Sequence, residues 1–331
     1  MPKVSVITPS FNGFGLMANY WNALEHQTFR DFEVVIVDDA SSDDSYDELC
    51  EYRSRSRLPI TVLRNERNMG PGKSRRRALE SARGEWIAFC DCDDWYEVDF
   101  LEKMMRTADE LSADLVMCNI NYAFPGGRKK TLCRMDRLGR TATTRDYLVF
   151  SSMTLCSIVV RRELFVDVEM PGLYHCEDGA VVPQLLVKAK KIAVTTDALY
   201  NYFIRNASLS TAFKPDAYLG FLEAYDVVYD KLAEEYYEEC EFIGIKMVCY
   251  GATLNAFKAG VPKSIVEEFL ANFRERHPNW SDNPYIGSLD LRKRVFLKLL
   301  EYGGYGVLKW LSRSHSVLVA LGKLGMFGTV M

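Results

Sequence analysis

The sequence predicts an α/β protein: a mostly parallel sheet covered by helices, followed by a helical C-terminal extension. Three observations carry this. Near-continuous apolar runs rich in β-branched residues alternate with segments of helical spacing through the first 120 residues, the pattern of strands buried on both faces by crossover helices. Several runs end in polar or acidic residues, namely Thr8, Asp38 with Asp39, and Asp91 with Asp93. Parallel strands would gather those ends along one edge as a convergent site. From Asp216 onward the apolar period becomes helical.

In chain order, Val4-Ser5-Val6-Ile7-Thr8 is a first strand ended by Pro9, and residues 15–27 place Leu16, Tyr20, Ala23 and Leu24 at helical spacing. The run from Phe32 to Val37 is a second strand closing on Asp38-Asp39, after which Ser41, Ser42 and Asp43 are candidate helix caps. Ile60 to Leu63 is a third strand, Gly70 to Ala82 a helix with a basic face, and Trp86 to Cys90 a fourth strand running into Asp91-Cys92-Asp93-Asp94. A helix over 100–111 precedes a fifth strand, Leu115 to Cys118. Gly126-Gly127, between Tyr122-Ala123-Phe124 and Thr131-Leu132, predicts a hairpin. Tyr200 to Phe203 is a strand leading into a polar loop from Arg205 to Thr211.

Composition excludes several classes. In 331 residues, 48% are apolar, enough for a globular core and too many for disorder. A formal charge of −4 gives no global reason to bind nucleic acid. The cationic stretch Lys73, Arg75, Arg76 and Arg77 lacks the interleaved aromatics that would change this. Nine cysteines at irregular spacing, with no Cys-x-x-Cys pair, fit neither a zinc site nor a dithiol, and an odd number fits a reducing compartment. The amino terminus shows no basic-then-apolar leader, and no run of about eighteen apolar residues could span a bilayer. The expected location is therefore cytoplasmic. Between Asp290 and Met331, seven basic residues against two acids leave +5, interspersed with Tyr302, Tyr305, Trp310 and periodic aliphatics. That composition suits an interfacial helix on the inner face of an anionic membrane, and equally a helix docked on the remainder of the chain.

The acidic cluster carries the chemistry. Asp91-Cys92-Asp93-Asp94 follows a buried strand, at the carboxyl edge where open α/β sheets bind ligands. An Asp-x-Asp pair on an extended segment can offer two oxygens to one hard divalent cation shared with substrate phosphates. A solvated Asp-rich turn would use the same residues. Cys92 is too soft a donor to be expected on such an ion.

Taken in order, Val4 to Asn12, Gln27-Thr28-Phe29, Asp38-Asp39-Ala40-Ser41, Asn68-Met69-Gly70 leading to Arg75, Gly84-Glu85-Trp86-Ile87-Ala88-Phe89 and Asp91 to Asp94 resemble the family-2 glycosyltransferases. A looser match runs through Glu177-Asp178 and Tyr200-Asn201-Tyr202 to Ser208-Leu209-Ser210, similar to bacterial members that build capsule, lipopolysaccharide or exopolysaccharide glycans. The resemblance implies a GT-A (Rossmann-like) catalytic domain over 1–212, with a nucleotide-sugar-binding half at 1–120 and an acceptor half at 121–212, followed by a helical region at 213–331. It implies an inverting enzyme that moves one sugar from a UDP-sugar to a hydroxyl of a glycan or lipid-linked glycan, with Mn²⁺ or Mg²⁺ on the diphosphate.

By the same resemblance, Thr8, Pro9, Ser10, Phe11, Asp39, Arg75, Asp91 and Cys92 contact the donor, Asp91 at the ribose. Asp93 holds the metal and Asp178 is the general base, with Glu177 and Asp94 as acceptor or supporting residues. Phe11 stands where many relatives carry Tyr. Asp39 can accept a pyrimidine imide N–H, which favours UDP, although Asp38 and Asp39 also suit capping of the next helix. Arg75 can pair with Asp39 or reach a phosphate. Asp178 can equally serve the dipole of the helix that follows it. The Gln-x-x-Arg-Trp sequence of processive synthases does not occur. A non-catalytic nucleotide-sugar-binding subunit of a glycan-assembly complex is the alternative reading. A nucleotidyltransferase is disfavoured because no Gly-rich phosphate loop follows the first strand.

Overall fold

In chain order the elements of the first half are β1 (Val4–Ser10), α1 (Ala18–Glu25), β2 (Phe32–Asp38), α2 (Ser45–Arg55), β3 (Ile60–Arg64), α3 (Pro71–Ser81), β4 (Trp86–Phe89), β5 (Trp95–Tyr96), α4 (Phe100–Leu111), β6 (Leu115–Ala123), β7 (Lys129–Leu132), α5 (Thr144–Phe150), β8 (Ile158–Arg161), α6 (Glu177–Lys188) and β9 (Ile192–Phe203). They come from a computed structural model, which describes residues 1–132, 135–139, 141–172, 175–205, 215–310 and 312. The chain divides into two compact units, Met1–Thr211 and Ala212–Met331.

The first unit holds one nine-stranded sheet in the order β3-β2-β1-β4-β8-β6-β9-β5, with β7 paired to β6. Its first four strands are parallel, and every residue of β1, β2 and β4 is buried. Both faces of these strands are covered, which is why their sequence shows no alternation. Each fully buried Val or Ile among them contributes roughly 1.5–3 kcal/mol. The register sets Ser10 opposite Asp38. The backbone N–H of Asp39 donates to Ser10 O at 2.7 Å, and that of Cys90 to Ile7 O at 3.0 Å. The polar ends of β1, β2 and β4 thus share one edge.

Beyond β4 the sheet is mixed. β8 runs antiparallel between β4 and β6, while β6 and β9 are parallel to each other. This strand has no counterpart in the sequence reading, although Ile158-Val159-Val160 is a β-branched run. β6 extends to Ala123, five residues past its expected end, because pairing with β7 and β9 satisfies its backbone groups. The hairpin between β6 and β7 turns on Gly126 and Gly127, at φ +84° and +82°.

Glu33, in the middle of buried β2, is 1% exposed. Its carboxylate accepts from Ser5 Oγ at 2.7 Å, from the Arg83 backbone N–H at 2.7 Å, and from Arg83 Nε and Nη2 at 2.9 and 2.6 Å. Burial opposes its charge, but the bonds from Ser5 and Arg83 outweigh that and hold its pKa below the usual carboxylate value. The cluster ties β1 and β2 to the segment entering β4.

The second unit is helical: α7 (Ala217–Leu232), α8 (Tyr237–Gly244), a π-helical segment Ile245–Ala252, α9 (Thr253–Ala259), α10 (Lys263–Arg276) and α11 (Leu291–Glu301). Its centre is buried His277, whose Nε2 lies 2.5 Å from the Tyr225 hydroxyl among the rings of Phe273, Tyr229 and Tyr237. Burial, reinforced by Arg276, pushes His277 down to about 4, so it is neutral at physiological pH. Among the described residues no helix is long and apolar enough to cross a membrane. Residues 305–310 are helical. The remainder of the expected interfacial segment, residue 311 and residues 313–331, lies outside the described residues, as does most of the 205–211 loop.

Glu33→Ala should lower stability by about 1–3 kcal/mol, because Ser5 and Arg83 lose an ionised acceptor. Because the folded pKa of Glu33 is depressed, its contribution is present above its unfolded value and disappears as pH falls through the folded one. Urea titrations of wild type and variant should therefore converge in acid; a difference that persists at pH 3 would refute the assignment.

Candidate functional site

The turn after β4 and the start of α6 come together over one buried guanidinium. Arg75, on α3, is 3% exposed in its side chain. Its Nη2 donates to Asp91 at 2.6 Å, and its Nη1 to Glu177 at 2.5 Å and Asp178 at 3.4 Å. Burial disfavours the arginine's charge, yet these three carboxylates outweigh it and raise its pKa. The expectation of a pair with Asp39 is therefore corrected: Arg75 lies beneath the acids that surround it, and Asp39 has other partners.

Asp39, 4% exposed, organises the approach to α3. Its Oδ1 accepts from Asn65 Nδ2 at 2.7 Å and Met69 N at 2.9 Å, and its Oδ2 accepts from Gly70 N at 2.8 Å. Gly70 has φ +85°, which a side chain would strain. Two residues on, a Cβ at Gly72 would lie 2.3 Å from Pro171 O, so only glycine lets α3 approach this segment closely enough for Arg75 to reach α6. Neither Asp38 nor Asp39 caps α2. Asp38 instead accepts from the backbone N–H and hydroxyl of Ser41, across the left-handed Ala40, and pairs with Arg64 at 3.4 Å.

The Asp-x-Asp pair is not on an extended segment. Asp94 N donates to Asp91 O at 3.1 Å, closing a turn that sends neighbouring carboxylates to different partners. Asp93 accepts from Arg205 Nε at 2.7 Å. Burial, then Asp91, raise its pKa, while Arg205 lowers it. Asp94, 1% exposed, accepts from the Tyr200 hydroxyl and from Phe203 N at 2.7 Å, which anchors the turn to β9. Cys92 packs with Ser10 around Gly13. Burial, Asp93 and Asp91 all push its thiol up, so it carries no thiolate.

Among the other expected donor contacts, Thr8 is corrected: it is 0% exposed and its hydroxyl lies 2.7 Å from Tyr20 Oη, holding α1 against β1. Pro9 and Ser10 end β1 in buried positions, and Phe11 follows at 47% exposure.

Glu177 and Asp178 open α6 after Cys176, which has left-handed φ +63°. Asp178 Oδ2 accepts from Leu155 N at 3.1 Å, and its side chain keeps 22% exposure. Burial lifts its pKa to about 7, Arg75 pulls it down, and Glu177 and Asp91 push it up. Asp91 and Asp178 line the same cavity of about 390 Å³, whose wall continues along β6, β7 and β9. A carboxylate that titrates near neutrality at a cavity wall can exchange a proton with a hydroxyl placed there.

Sequence reasoning did not find Arg205 as the partner of Asp93, Asn65 as a support of Asp39, or the ion pair of Glu177. Asn65 was detectable as a polar residue directly after β3. The other two contacts join residues more than 100 positions apart and leave no local signal.

Residues 5–168 match the profile of glycosyl transferase family 2, and the chain belongs to that family. It is 39% identical over 123 residues to the putative glycosyltransferase EpsH of Bacillus subtilis, covering 37% of this chain and 35% of that one. It is 29% identical over 211 residues to the putative teichuronic acid biosynthesis glycosyltransferase TuaG of the same organism, covering 63% and 82%. Against the poly(ribitol-phosphate) β-N-acetylglucosaminyltransferase TarS of Staphylococcus aureus, identity is 24% over 287 residues, 85% of this chain and 45% of that one. The chain thus spans about a third of EpsH and under half of TarS. A crystal structure of S. aureus TarS 1–349 in complex with UDP-GlcNAc superposes with TM-score 0.66 at 22% identity, covering 99% and 93%. The fold is the GT-A fold expected from the resemblance.

Replacing Arg75 by Ala should cost about 3–5 kcal/mol, because three carboxylates are left around an uncompensated hole. Arg75→Lys should recover little of this, since an ammonium cannot fork between acids on separate elements. Urea unfolding of the two variants checks both; a lysine variant as stable as wild type would show that charge alone suffices.

Proposed function

We propose that this chain is an inverting glycosyltransferase that moves a single sugar from a UDP-sugar to a hydroxyl of a glycan or lipid-linked glycan, with Asp178 as general base. The observation that carries this is the shared cavity: Arg75 ties Asp91, on the turn that also bears Asp93, to Glu177 and Asp178 on α6. Family membership and the likeness to a TarS structure solved with UDP-GlcNAc support the donor class.

On this reading, Asp39 retains one unused lone-pair position on Oδ2 for an imide N–H, after its bonds to Asn65, Met69 and Gly70. Pro9, Ser10 and Phe11 flank the base, and Asp91 and Cys92 lie toward the ribose.

The residues fit a hard divalent ion, Mn²⁺ or Mg²⁺. Asp93 is a hard oxygen donor whose charge is opposed by burial and then Asp91 and favoured by Arg205, and Cys92 beside it is a neutral thiol. Among the described residues no three His, Cys, Asp or Glu side chains gather into a cage, so Asp93 would hold the ion together with the donor's diphosphate. When bound, such an ion supplies Lewis acidity to the leaving diphosphate. The mannosyltransferase PcManGT of Pyrobaculum calidifontis, solved with GDP-Man and Mn²⁺, shares the fold with TM-score 0.59 at 15% identity.

Asp178 takes the proton of the attacking hydroxyl. It must be ionised to do so, and a raised pKa means that it is protonated in mild acid. Arg75 keeps ionisation within reach of neutral pH, and the Leu155 N–H holds the second oxygen in place. The rate should therefore rise with pH through about 7. Asp178→Asn should lower kcat by about 10²–10⁴-fold and abolish this limb, with UDP-sugar binding retained. Assaying UDP release across pH decides it. Turnover unchanged in the variant would remove Asp178 from the base role, and donor binding without transfer to any acceptor in wild type would favour a binding-only subunit.

We also propose peripheral membrane contact through the tail, at the inner face of the cell membrane, where a lipid-linked acceptor would be met. Tyr302 and Trp310 are 74% and 68% exposed, beside Lys298 and Lys309. A chain ending at Tyr302 should lose co-sedimentation with anionic liposomes; equal sedimentation of both chains would end this proposal.

A further inference from the structure

The cavity holding Asp91 and Asp178 extends well past them, and its chemistry is one-sided. Of the described residues that line it, the ones that carry charge are those two carboxylates; no lysine, arginine or histidine is among them. Among the described residues, the Arg75 Nη atoms are engaged by three carboxylates and Arg205 Nε by Asp93. Much of the remaining wall is apolar, with Ile120, Leu132, Met135 and Met153 contributing. Asn119, which also lines it, spends its amide on Asp136 and Thr196 O and its carbonyl on Met135 N.

On the same wall Tyr122 and Tyr202 face each other across β6 and β9, as register partners with ring centroids 5.8 Å apart at 65°. An edge-to-face pair fixes both rings and presents an electron-rich aromatic face, which suits the weakly positive C–H bonds of a sugar ring. Lys130 stands opposite Tyr122 on β7, exposed and not among the lining residues. Within the described lining, a phosphate would leave water to sit near two carboxylates and no cationic side chain.

We propose that this cavity receives the acceptor as an uncharged polyhydroxylated sugar unit stacked on Tyr122 and Tyr202, and that it excludes phosphate-bearing units. This deepens the glycosyltransferase reading and rests on it for the word acceptor. It sets the chain apart from the poly(ribitol-phosphate) named for TarS, despite the shared fold.

The test measures binding to the full chain by saturation-transfer NMR and calorimetry with UDP present, using a panel of neutral methyl hexosides and N-acetylhexosaminides against ribitol phosphate. Neutral glycosides should bind and ribitol phosphate should not compete with them. Tyr122→Ala and Tyr202→Ala should each weaken glycoside binding about 3- to 10-fold, the range expected for one aromatic contact, while Tyr122→Phe and Tyr202→Phe should keep it. The Phe variants also guard against loss of folding as the cause. Ribitol phosphate binding as tightly as the glycosides, or glycoside affinity unchanged in both Ala variants, would overturn the proposal. Failure of the underlying reading is seen separately: no UDP release from any UDP-sugar, with glycoside binding intact, would sink the proposed activity and leave the neutral-ligand assignment standing.

Discussion

A single buried arginine governs the geometry of the site. Arg75 brings together a carboxylate from the turn after β4 and two from the first turn of α6, segments that are far apart in the chain. Without a cation between them these acids would repel one another in a poorly solvated space, and the least costly response would be to protonate or to separate. With the guanidinium in place Asp91 and Asp178 line a common cavity. Its planar fork suits this role, because it can address acids on two elements with separate nitrogens.

The placement of Arg75 in turn depends on features that look unrelated to it. Asp39, at the end of β2, holds the backbone of Met69 and Gly70 and so aims the start of α3. Gly72 lets that helix approach the segment before α6. The sheet beneath positions all of this through strands buried on both faces, where the register of β1 with β2 and β4 leaves no freedom to slip. Packing therefore sets the electrostatics, and the electrostatics set what each carboxylate can do. Asp178 is left near neutrality by opposing effects of burial and Arg75. Asp93 is paired with a different arginine, and Asp94 is turned into a structural anchor for β9. Acids adjacent in sequence thus have different proposed or structural roles because their partners differ.

Much of this was legible beforehand. The strands β1 to β4 and the helices α3 and α4 follow from apolar runs and helical periods that are strong and local, and the hairpin follows from Gly126 and Gly127. Convergence of the acidic ends Asp38 and Asp91 at one edge follows from the strands being parallel, although the first strand runs past the expected Thr8 to Ser10. β8 was missed because four residues are too few for periodicity to separate a strand from a connection. The turn geometry of Asp91 to Asp94 was misjudged because alternating carboxylates suggest an extended segment, whereas the bond from Asp94 N to Asp91 O and the pull of Tyr200 on Asp94 close it into a turn. Thr8 was misassigned because a hydroxyl at a strand end looks available until Tyr20 is seen to take it.

The amino-acid order alone was enough to settle which residue types are present, which segments become strands or helices, and that acidic residues collect at the carboxyl edge of the sheet, since these depend on short-range pattern and on the polarity of parallel strands. Which acid meets which base was decided only by the folded chain. Arg75 with Glu177, Arg205 with Asp93 and Tyr122 with Tyr202 join positions tens to more than a hundred residues apart, and side-chain partners at that separation are set by packing, which no local period encodes.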